Sequence, residues 1–192
     1  MIVDALILAG GRSSRLDASA KQKLLVDGMP LLERTLDAVR GVGARHVVVV
    51  GDEAPDGVVA VRESPAFAGP VAGIAAGFAV LAPDADVVLV LACDMPQIAA
   101  ALPVLLDGFA GDGAIATDRG RRQQLVLALS PDALARALEA LPAVVDTPVR
   151  DLFASLDLTD IAVPEGATDD IDTWEDAARF GVARPTPLER IR

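Results

Sequence analysis

The feature that most constrains this chain is a regular alternation between short apolar runs and segments with helical periodicity. Such alternation is typical of an α/β domain with a mainly parallel sheet. We predict one domain with three α/β/α layers over residues 1–182, followed by a C-terminal tail over residues 183–192. Strands are predicted at residues 2–8, 46–50, 58–61, 87–92, 114–117 and 125–129, with a weaker one at 160–163. Helices are predicted at residues 31–42, 71–81, 98–109, 131–141, 149–156 and 174–180.

The composition supports a packed globular domain and narrows its environment. Hydrophobic residues make up 52% of the chain and charged residues 23%, which excludes disorder. The single cysteine, Cys93, cannot form an internal disulfide, so nothing requires an oxidising compartment. The first apolar run contains Asp4 and ends at a glycine turn, which indicates a strand rather than a signal peptide. Since no apolar run approaches the roughly 20 residues that cross a bilayer, we expect a cytoplasmic protein with no membrane partner.

The charge distribution argues against a nucleic-acid partner and singles out one cationic segment. The formal net charge is −11, whereas duplex binding depends on neutralising phosphates. The chain has only two lysines, Lys21 and Lys23, and both lie in the same segment as Arg12 and Arg15. An acidic protein that gathers its lysines in this way can bind a small polyanion there. The alternative is a chance grouping of surface charges.

A glycine-containing loop directly follows the first predicted strand and leads into this cationic segment. The loop consists of Leu8, Ala9, Gly10 and Gly11, and it lacks the spacing of a dinucleotide fingerprint or of a P-loop. Its glycines still let backbone N–H groups approach an anion without a Cβ atom in the way. The following arginines and Lys21 can add side-chain charge for a triphosphate. The alternative is a tight strand-to-helix turn with solvated arginines.

Acidic residues at two positions can complete a nucleotide site. Asp94 follows the apolar run 87–92, so it lies at the carboxyl end of a buried strand, where ligands bind in open α/β sheets. A carboxylate opposite a polyphosphate loop can hold Mg²⁺, or Asp94 can cap the helix that Pro96 would begin. Further carboxylates at positions 169, 170 and 172 precede the last predicted helix. They can supply a second metal ligand or form a solvated acidic turn.

Two other segments bear on substrate binding. Gly69 and Gly73 open a predicted helix with small residues, which either allow close approach of a nucleoside or form an ordinary helix entrance. Residues 118–124 form the only other dense cationic cluster, at the predicted tip of a hairpin. Arg121 or Arg122 can hold a phosphorylated acceptor there, because a local positive potential steers anions toward an acidic protein. The alternative is a solvated turn.

Taken in order along residues 3–181, these segments resemble the molybdenum-cofactor nucleotidyltransferase family, most closely its guanylyltransferase branch. The matching features are the Leu-Ala-Gly-Gly loop at 8–11 with Arg15 and Lys21, Gly-x-Pro-Leu at 28–31, Gly-Pro-x-x-Gly at 69–73, Asp-x-Pro at 94–96 and Asp-Ile-Asp-Thr at 170–173. The chain departs from the family pattern at residues 16–20. Leu16-Asp17 and Ala20 stand there in place of the Met-Gly pair and the acid that the family often shows.

The resemblance implies a Rossmann-like nucleotidyltransferase sheet and a Mg²⁺-dependent transfer of GMP from GTP to molybdopterin, with release of pyrophosphate. It implies that Lys21, Arg15 and Asp94 are catalytic, with Lys21 favoured over Lys23 by its spacing to residues 28–30. It implies Asp94 and Asp172 as ligands of Mg²⁺. The implied nucleotide-binding residues are Leu8, Ala9, Gly10, Gly11, Lys21, Glu63, Gly69, Gly73 and Asp94. The family also carries a glutamine before the strand of its acceptor half, so Gln124, or Gln123, joins Arg121 and Arg122 as acceptor residues.

Two rival functions stay open from the sequence. The first is a sibling enzyme that transfers CMP to molybdopterin, or a nucleotidyl group to another small phosphate such as 2-phospholactate. The second is a catalytically inactive nucleotide-binding sensor or adaptor, which the departures at residues 16–20 suggest. Whichever of these functions holds, we expect a monomer or a small homo-oligomer. His46, Cys93 and Trp174 are predicted to have structural roles rather than chemical ones.

Overall fold

The computed structural model describes residues 1–10, 21–81 and 84–182. Its strands are β1 (Val3–Leu8), β2 (Leu25–Val26), β3 (Met29–Pro30), β4 (Val47–Val50), β5 (Val59–Val61), β6 (Val87–Ala92), β7 (Gly113–Asp118), β8 (Arg121–Leu129) and β9 (Leu158–Ala162). Its α-helices are α1 (Leu31–Gly41), α2 (Pro70–Phe78), α3 (Leu102–Asp107), α4 (Pro131–Glu139), α5 (Val149–Leu152) and α6 (Trp174–Arg179). Short 3-10 turns cover Lys21–Lys23 and Ile98–Ala100. The predicted tail at 183–192 lies outside the described residues.

The main sheet has seven strands in the order β5-β4-β1-β6-β8-β7-β9. Every neighbouring pair is parallel except the two pairs that contain β8. Helices α1 and α3 cover one face of the sheet, and helices α2, α4 and α5 cover the other. This arrangement confirms the predicted mainly parallel, three-layer fold. The strand order changes direction between β1 and β6, so the carboxyl ends of these two strands flank a crevice.

Strand β1 shows why these apolar runs form the centre of the sheet. Ala5 and Ile7 pack into the core on one face, while Leu6 and Leu8 pack into the core on the other. Successive side chains of a strand point to opposite faces, so a run whose apolar residues fall on both faces must be covered on both sides. All six residues of β1 are buried. The long apolar runs therefore predict central strands, and the structure confirms it.

Several predicted boundaries are wrong, and two of the differences have a local reason. Residues 98–109 form a 3-10 turn and the separate helix α3, because Pro103 has no backbone N–H and is tolerated only in the first turn of a helix. Strand β8 begins at Arg121 rather than at Leu125, so the cationic segment is mostly strand. The turn before it is only Arg119-Gly120, both with positive φ, as tight hairpins require. Helices α2, α4 and α5 end two to four residues before their predicted ends.

The hairpin β2–β3 is absent from the prediction because each of its strands is two residues long. Its turn, Asp27-Gly28, has positive φ at both residues. The hairpin buries Val26 in a small third apolar cluster with Leu31, Ile171 and Ala177. This cluster joins the hairpin to α6 and so brings two segments distant in sequence to one edge of the crevice. Within the described part of the chain, no helix is long and apolar enough to cross a membrane.

Candidate functional site

A cavity of about 510 Å³ opens at the carboxyl ends of β1, β4 and β6. The strand ends are held together here by backbone hydrogen bonds, since Ala9 N donates to Val50 O at 2.8 Å and Cys93 N donates to Leu8 O at 3.2 Å. The described residues of its wall are Leu8, Ala9, Gly10, Lys21, Gln22, Val50, Glu63, Phe67, Gly69, Pro70, Gly73, Ala92, Cys93, Asp94 and Leu125. The cavity thus combines an apolar floor of strand ends with a few charged groups, which is the usual form of a small-molecule site.

Lys21 connects two carboxylates at the wall of this cavity. Its Nζ donates to Asp94 Oδ2 at 3.2 Å and also to Asp172 Oδ1. The side chains of Lys21 and Asp94 are each only 21% exposed. Burial alone lowers the pKa of the Lys21 ammonium, but the hydrogen bond to Asp172 and the charge of Asp94 outweigh burial and raise it. Lys21 is therefore firmly cationic at neutral pH.

Asp170 joins the same group of carboxylates. One carboxylate oxygen from each of Asp94, Asp170 and Asp172 lies within 4.8 Å of the others. Although the Asp170 side chain is exposed, partial loss of solvent and the charges of Asp172 and Asp94 raise its pKa. We call Asp94, Asp170 and Asp172 the carboxylate cluster. Hard oxygen ligands at this spacing can hold a divalent cation.

Local structure holds the carboxylate cluster in place. Ile171 N donates to Asp94 O at 3.0 Å, which ties the acidic segment to the end of β6. Helix α6 then begins with a capping box, in which Thr173 Oγ1 accepts from Asp176 N at 3.1 Å and Asp176 Oδ2 accepts from Thr173 N at 2.9 Å. Because the cap fixes the start of α6, Asp172 has a defined position next to Lys21.

The two glycines at the start of α2 meet different structural requirements. Gly69 is the N-cap of α2 and has a φ of +91°, a backbone conformation that residues with a Cβ atom rarely adopt. A Cβ atom on Gly73 would lie 3.1 Å from Val50 Cγ1 and 3.5 Å from Leu8 Cδ2. Gly73 therefore allows α2 to pack closely on β1 and β4, which is a structural need in addition to its place in the cavity wall.

Glu63 and Phe67 form the opposite part of the wall from a loop after β5. Glu63 Oε1 accepts from Phe67 N at 2.8 Å, and the Arg62 guanidinium lies 4.7 Å from the centre of the Phe67 ring. Phe67 is 47% exposed. Phe67 is not among the predicted site residues; the signal for it in the sequence is its rarity, since aromatic residues make up only 3% of the chain.

Comparison with known proteins identifies the family to which these features belong. The family model described as "MobA-like NTP transferase domain" matches residues 5–160. This chain belongs to the MobA-like NTP transferase family. A molybdenum cofactor guanylyltransferase from Burkholderia vietnamiensis is 30% identical over 92% of this chain and 94% of its own length. Another from Xanthomonas euvesicatoria is 41% identical over 99 residues, so this chain spans about half the length of that relative.

Solved structures agree with the MobA-like assignment at the level of the fold. A nucleotidyl transferase from Methanothermobacter superimposes with a TM-score of 0.77 and 23% identity, over 93% of this chain and 95% of the other. The protein Rv0371c from Mycobacterium tuberculosis, solved in complex with manganese, superimposes with a TM-score of 0.70 and 22% identity, over 94% and 98% of the two chains. The nucleotidyltransferase fold is thus established for this chain.

Most of the residues predicted for nucleotide binding in this MobA-like domain come together in the structure. Those that line the cavity are Leu8, Ala9, Gly10, Lys21, Glu63, Gly69, Gly73 and Asp94. Gly11 and Arg15 lie outside the described residues, as does the departure at residues 16–20. Lys23 instead pairs with Glu53 at 2.7 Å, and both side chains are mostly exposed. The roles of the residues that line the cavity stay predictions.

The predicted acceptor residues separate into two groups. Arg121 lines a second cavity of about 520 Å³, together with Gln123. Arg122 points to a different partner, since its Nε donates to Asp160 Oδ1 on β9 at 2.6 Å. Gln124 is exposed and is not part of the wall of this second cavity. The sequence could not divide the set, because it took this segment for a loop, whereas successive side chains of a strand face opposite sides.

Proposed function

We propose that this chain transfers GMP from GTP to the phosphate of a molybdopterin-type acceptor and releases pyrophosphate. The observation that carries the proposal is the contact of Lys21 with Asp94 and Asp172. Lys21 lines a cavity whose wall also includes the start of the glycine-containing loop. A triphosphate and its metal require this combination of an ammonium group, carboxylates and accessible backbone N–H groups. The guanylyltransferase relatives support the choice of reaction.

In the proposed reaction, an oxygen of the acceptor phosphate forms a bond to the α-phosphorus of GTP. The bond from that phosphorus to the bridging oxygen of the β-phosphate breaks, and pyrophosphate leaves with the electron pair. The acceptor oxygen is already anionic, so no general base is required. The residues of the chain therefore act by alignment and by neutralising charge. Lys21 and the backbone at Gly10 would contact the triphosphate, with Arg15 as a second cation.

The carboxylate cluster fits a divalent cation, for which we propose Mg²⁺. Asp94 and Asp172 would hold the ion, and Asp170 is close enough to serve as a third ligand. When bound there, the cation would neutralise charge on the phosphate oxygens. Lys21 Nζ contacts one oxygen each of Asp94 and Asp172, so an ion that uses these oxygens must displace the ammonium group. The manganese complex of the Mycobacterium protein supports a divalent ion in this fold.

We further propose that the nucleoside lies between the strand ends and the loop that carries Glu63 and Phe67. Both residues line the first cavity, and Glu63 offers a carboxylate that can accept hydrogen bonds from a base or a ribose. The preference for GTP over CTP and ATP should be large, because a site that pairs with a base edge leaves polar groups unpaired when the wrong base enters.

Pyrophosphate release with a panel of triphosphates and acceptors tests the proposal. The expected result is release that requires GTP, a divalent cation and a molybdopterin-type acceptor together. Equal or faster release with CTP would assign the chain to cytidylyl transfer instead. Binding of GTP without turnover under any condition would favour a nucleotide sensor.

A further inference from the structure

The segment between β9 and α6 carries two members of the carboxylate cluster, Asp170 and Asp172. Residues 163–173, all of them described, form neither helix nor strand. The position of the segment therefore depends on contacts with other parts of the chain. It begins with a turn that its own backbone closes, since Asp169 N donates to Gly166 O at 3.1 Å. The contacts that hold this turn set where the two carboxylates lie.

Asp118, the last residue of β7, holds this turn through its side chain. Its Oδ2 accepts from Gly166 N at 2.9 Å and from Thr168 Oγ1 at 3.0 Å. Asp118 is only 3% exposed, and Thr168 is also buried, so water competes little for these two bonds. Strand β7 is paired with β8 on one side and with β9 on the other. Asp118 therefore anchors the turn to a rigid part of the sheet.

Further contacts fix the residues on either side of Asp170. Asp169 Oδ1 accepts from Arg119 Nη1 at 2.6 Å. Ile171 is buried, and its N donates to Asp94 O at 3.0 Å. Positions that are held by the rest of the chain thus alternate with the two positions that belong to the carboxylate cluster. The held positions decide where the oxygens of the cluster lie, and the turn at Asp118 is the first of them.

The burial of Asp118 is unfavourable for stability. Its two donors are an amide and a hydroxyl, and it forms no ion pair with any residue that the structure describes. A buried carboxylate without a cationic partner costs free energy. Asp4, the other buried carboxylate of the described residues, pairs with Arg45 at 3.0 Å. Because such departures from stable packing concentrate at functional sites, the burial of Asp118 indicates a role in function.

We infer that Asp118 is a positioning residue for the carboxylate cluster: by holding Gly166 and Thr168, it fixes the backbone from which Asp170 and Asp172 reach a divalent cation. Asp118 acts through the backbone and is not itself a ligand. The inference rests on the proposed function, because it takes the cluster as the metal site, and it adds the residue that keeps the cluster in place. Loss of the contacts that orient metal ligands typically lowers metal affinity roughly 10- to 100-fold, which sets the size of the expected effect.

Binding of Mn²⁺ to the nucleotide-free chain tests the inference without turnover. Asp118→Ala should raise the Kd for Mn²⁺, measured by electron paramagnetic resonance, at least about tenfold. Asp118→Asn should stay within about threefold of the unmodified chain, because its amide oxygen can accept both hydrogen bonds. Amide hydrogen exchange over residues 163–173 should be faster in Asp118→Ala than in Asp118→Asn. An unchanged Kd in Asp118→Ala would overturn the inference.

Asp4→Ala is the matched control for a loss of stability alone. Asp4 is buried like Asp118, and it accepts from His46 N at 3.1 Å. It lies near the amino end of β1, whereas the cluster lies at the carboxyl ends of the strands. Asp4→Ala should lower the midpoint of thermal unfolding but leave the Kd for Mn²⁺ within about twofold, because distant sites act independently. If both variants weaken Mn²⁺ binding equally, the effect is general destabilisation and the inference is wrong.

Variants of Thr168 keep the inference testable if Asp118→Ala does not fold. Thr168→Val removes the hydroxyl that donates to Asp118 and should raise the Kd for Mn²⁺ at least about threefold, whereas Thr168→Ser keeps a hydroxyl and should bind normally. Equal affinities of these two variants, or no Mn²⁺ binding by the unmodified chain, would contradict the inference whatever the pyrophosphate assay shows. A chain that binds Mn²⁺ with the expected dependence on Asp118 but never releases pyrophosphate would instead refute guanylyl transfer and leave the positioning role standing.

Discussion

Removal of the Lys21 ammonium tests the site most sharply, because the chain has only two lysines and the other serves as a control. Lys21→Ala removes the group that contacts both Asp94 and Asp172, while Lys23→Ala removes an ammonium whose side chain is 63% exposed and paired with Glu53. The two positions lie in the same 3-10 turn. Differences between the variants therefore report on the contacts of Lys21 and not on local backbone structure.

The expected size of the effect follows from burial and from the number of contacts. A charge-assisted hydrogen bond contributes roughly 1.5–3 kcal/mol, and we count one such bond from Lys21 to the triphosphate. Lys21→Ala should therefore lower kcat/KM for GTP roughly 10- to 150-fold. Lys23→Ala removes an exposed pair that contributes little and is unconnected to the cavity, so its kcat/KM should change by less than about twofold.

Lys21→Ala should strengthen the binding of a divalent metal, although it weakens catalysis. Without the ammonium, the oxygens of Asp94 and Asp172 have no competing cation, so Mn²⁺ should bind the nucleotide-free variant about tenfold more tightly. Electron paramagnetic resonance of free Mn²⁺ measures this affinity directly. Weaker Mn²⁺ binding by Lys21→Ala than by Lys23→Ala would refute the competition, and equal losses of kcat/KM would mean that the wrong lysine has been chosen.

Further predictions concern the cavity, the sheet and helix α1. Asp94→Asn should lower turnover far more than it weakens GTP binding, because a bound metal stabilises charge mainly in the transition state; near-normal metal-dependent turnover would remove Asp94 from the site. Burial raises the pKa of the Cys93 thiol to about 12, so Cys93 should react with a thiol reagent at pH 8 only after unfolding in urea. Gly113→Ala should lower the free energy of unfolding by at least about 1–3 kcal/mol, because its Cβ would lie 2.5 Å from Ala128 O. Gly41→Ala, with open space at its Cβ, should instead raise it by about 0.4–1 kcal/mol in urea titrations.

The sequence predicts the central strands and the residues at their carboxyl ends, because both depend on local patterns. The apolar run before Asp94 is long enough to require burial on both faces, and that fixes the position of Asp94 at the crevice. In the same way, the run before Gly10 fixes the start of the glycine loop. Residues that follow buried strands can thus be placed near one another without knowledge of any long-range contact.

Other parts of the site depend on contacts that no local pattern carries. Asp170 joins the cluster only because Ile171 bonds to the backbone of Asp94, across a separation of more than 70 residues. The hairpin around Asp27-Gly28 has a recognisable turn, but its strands are too short to show alternation. The side of the sheet on which Arg121 and Arg122 lie depends on where β8 begins. A polar stretch of sequence resembles a loop until its strand partners are known.

The measurement that most directly tests the central claim is the fate of the α-phosphorus of GTP. GTP radiolabelled at the α-phosphorus would be incubated with the chain, a molybdopterin-type acceptor and Mg²⁺, in parallel with GTP labelled at the γ-phosphorus. Guanylyl transfer predicts that the α-label enters a product that contains the acceptor, while the γ-label appears only in pyrophosphate. If the α-label stays in GTP or appears in free GMP, with no product that contains the acceptor, the chain is not a guanylyltransferase for this acceptor.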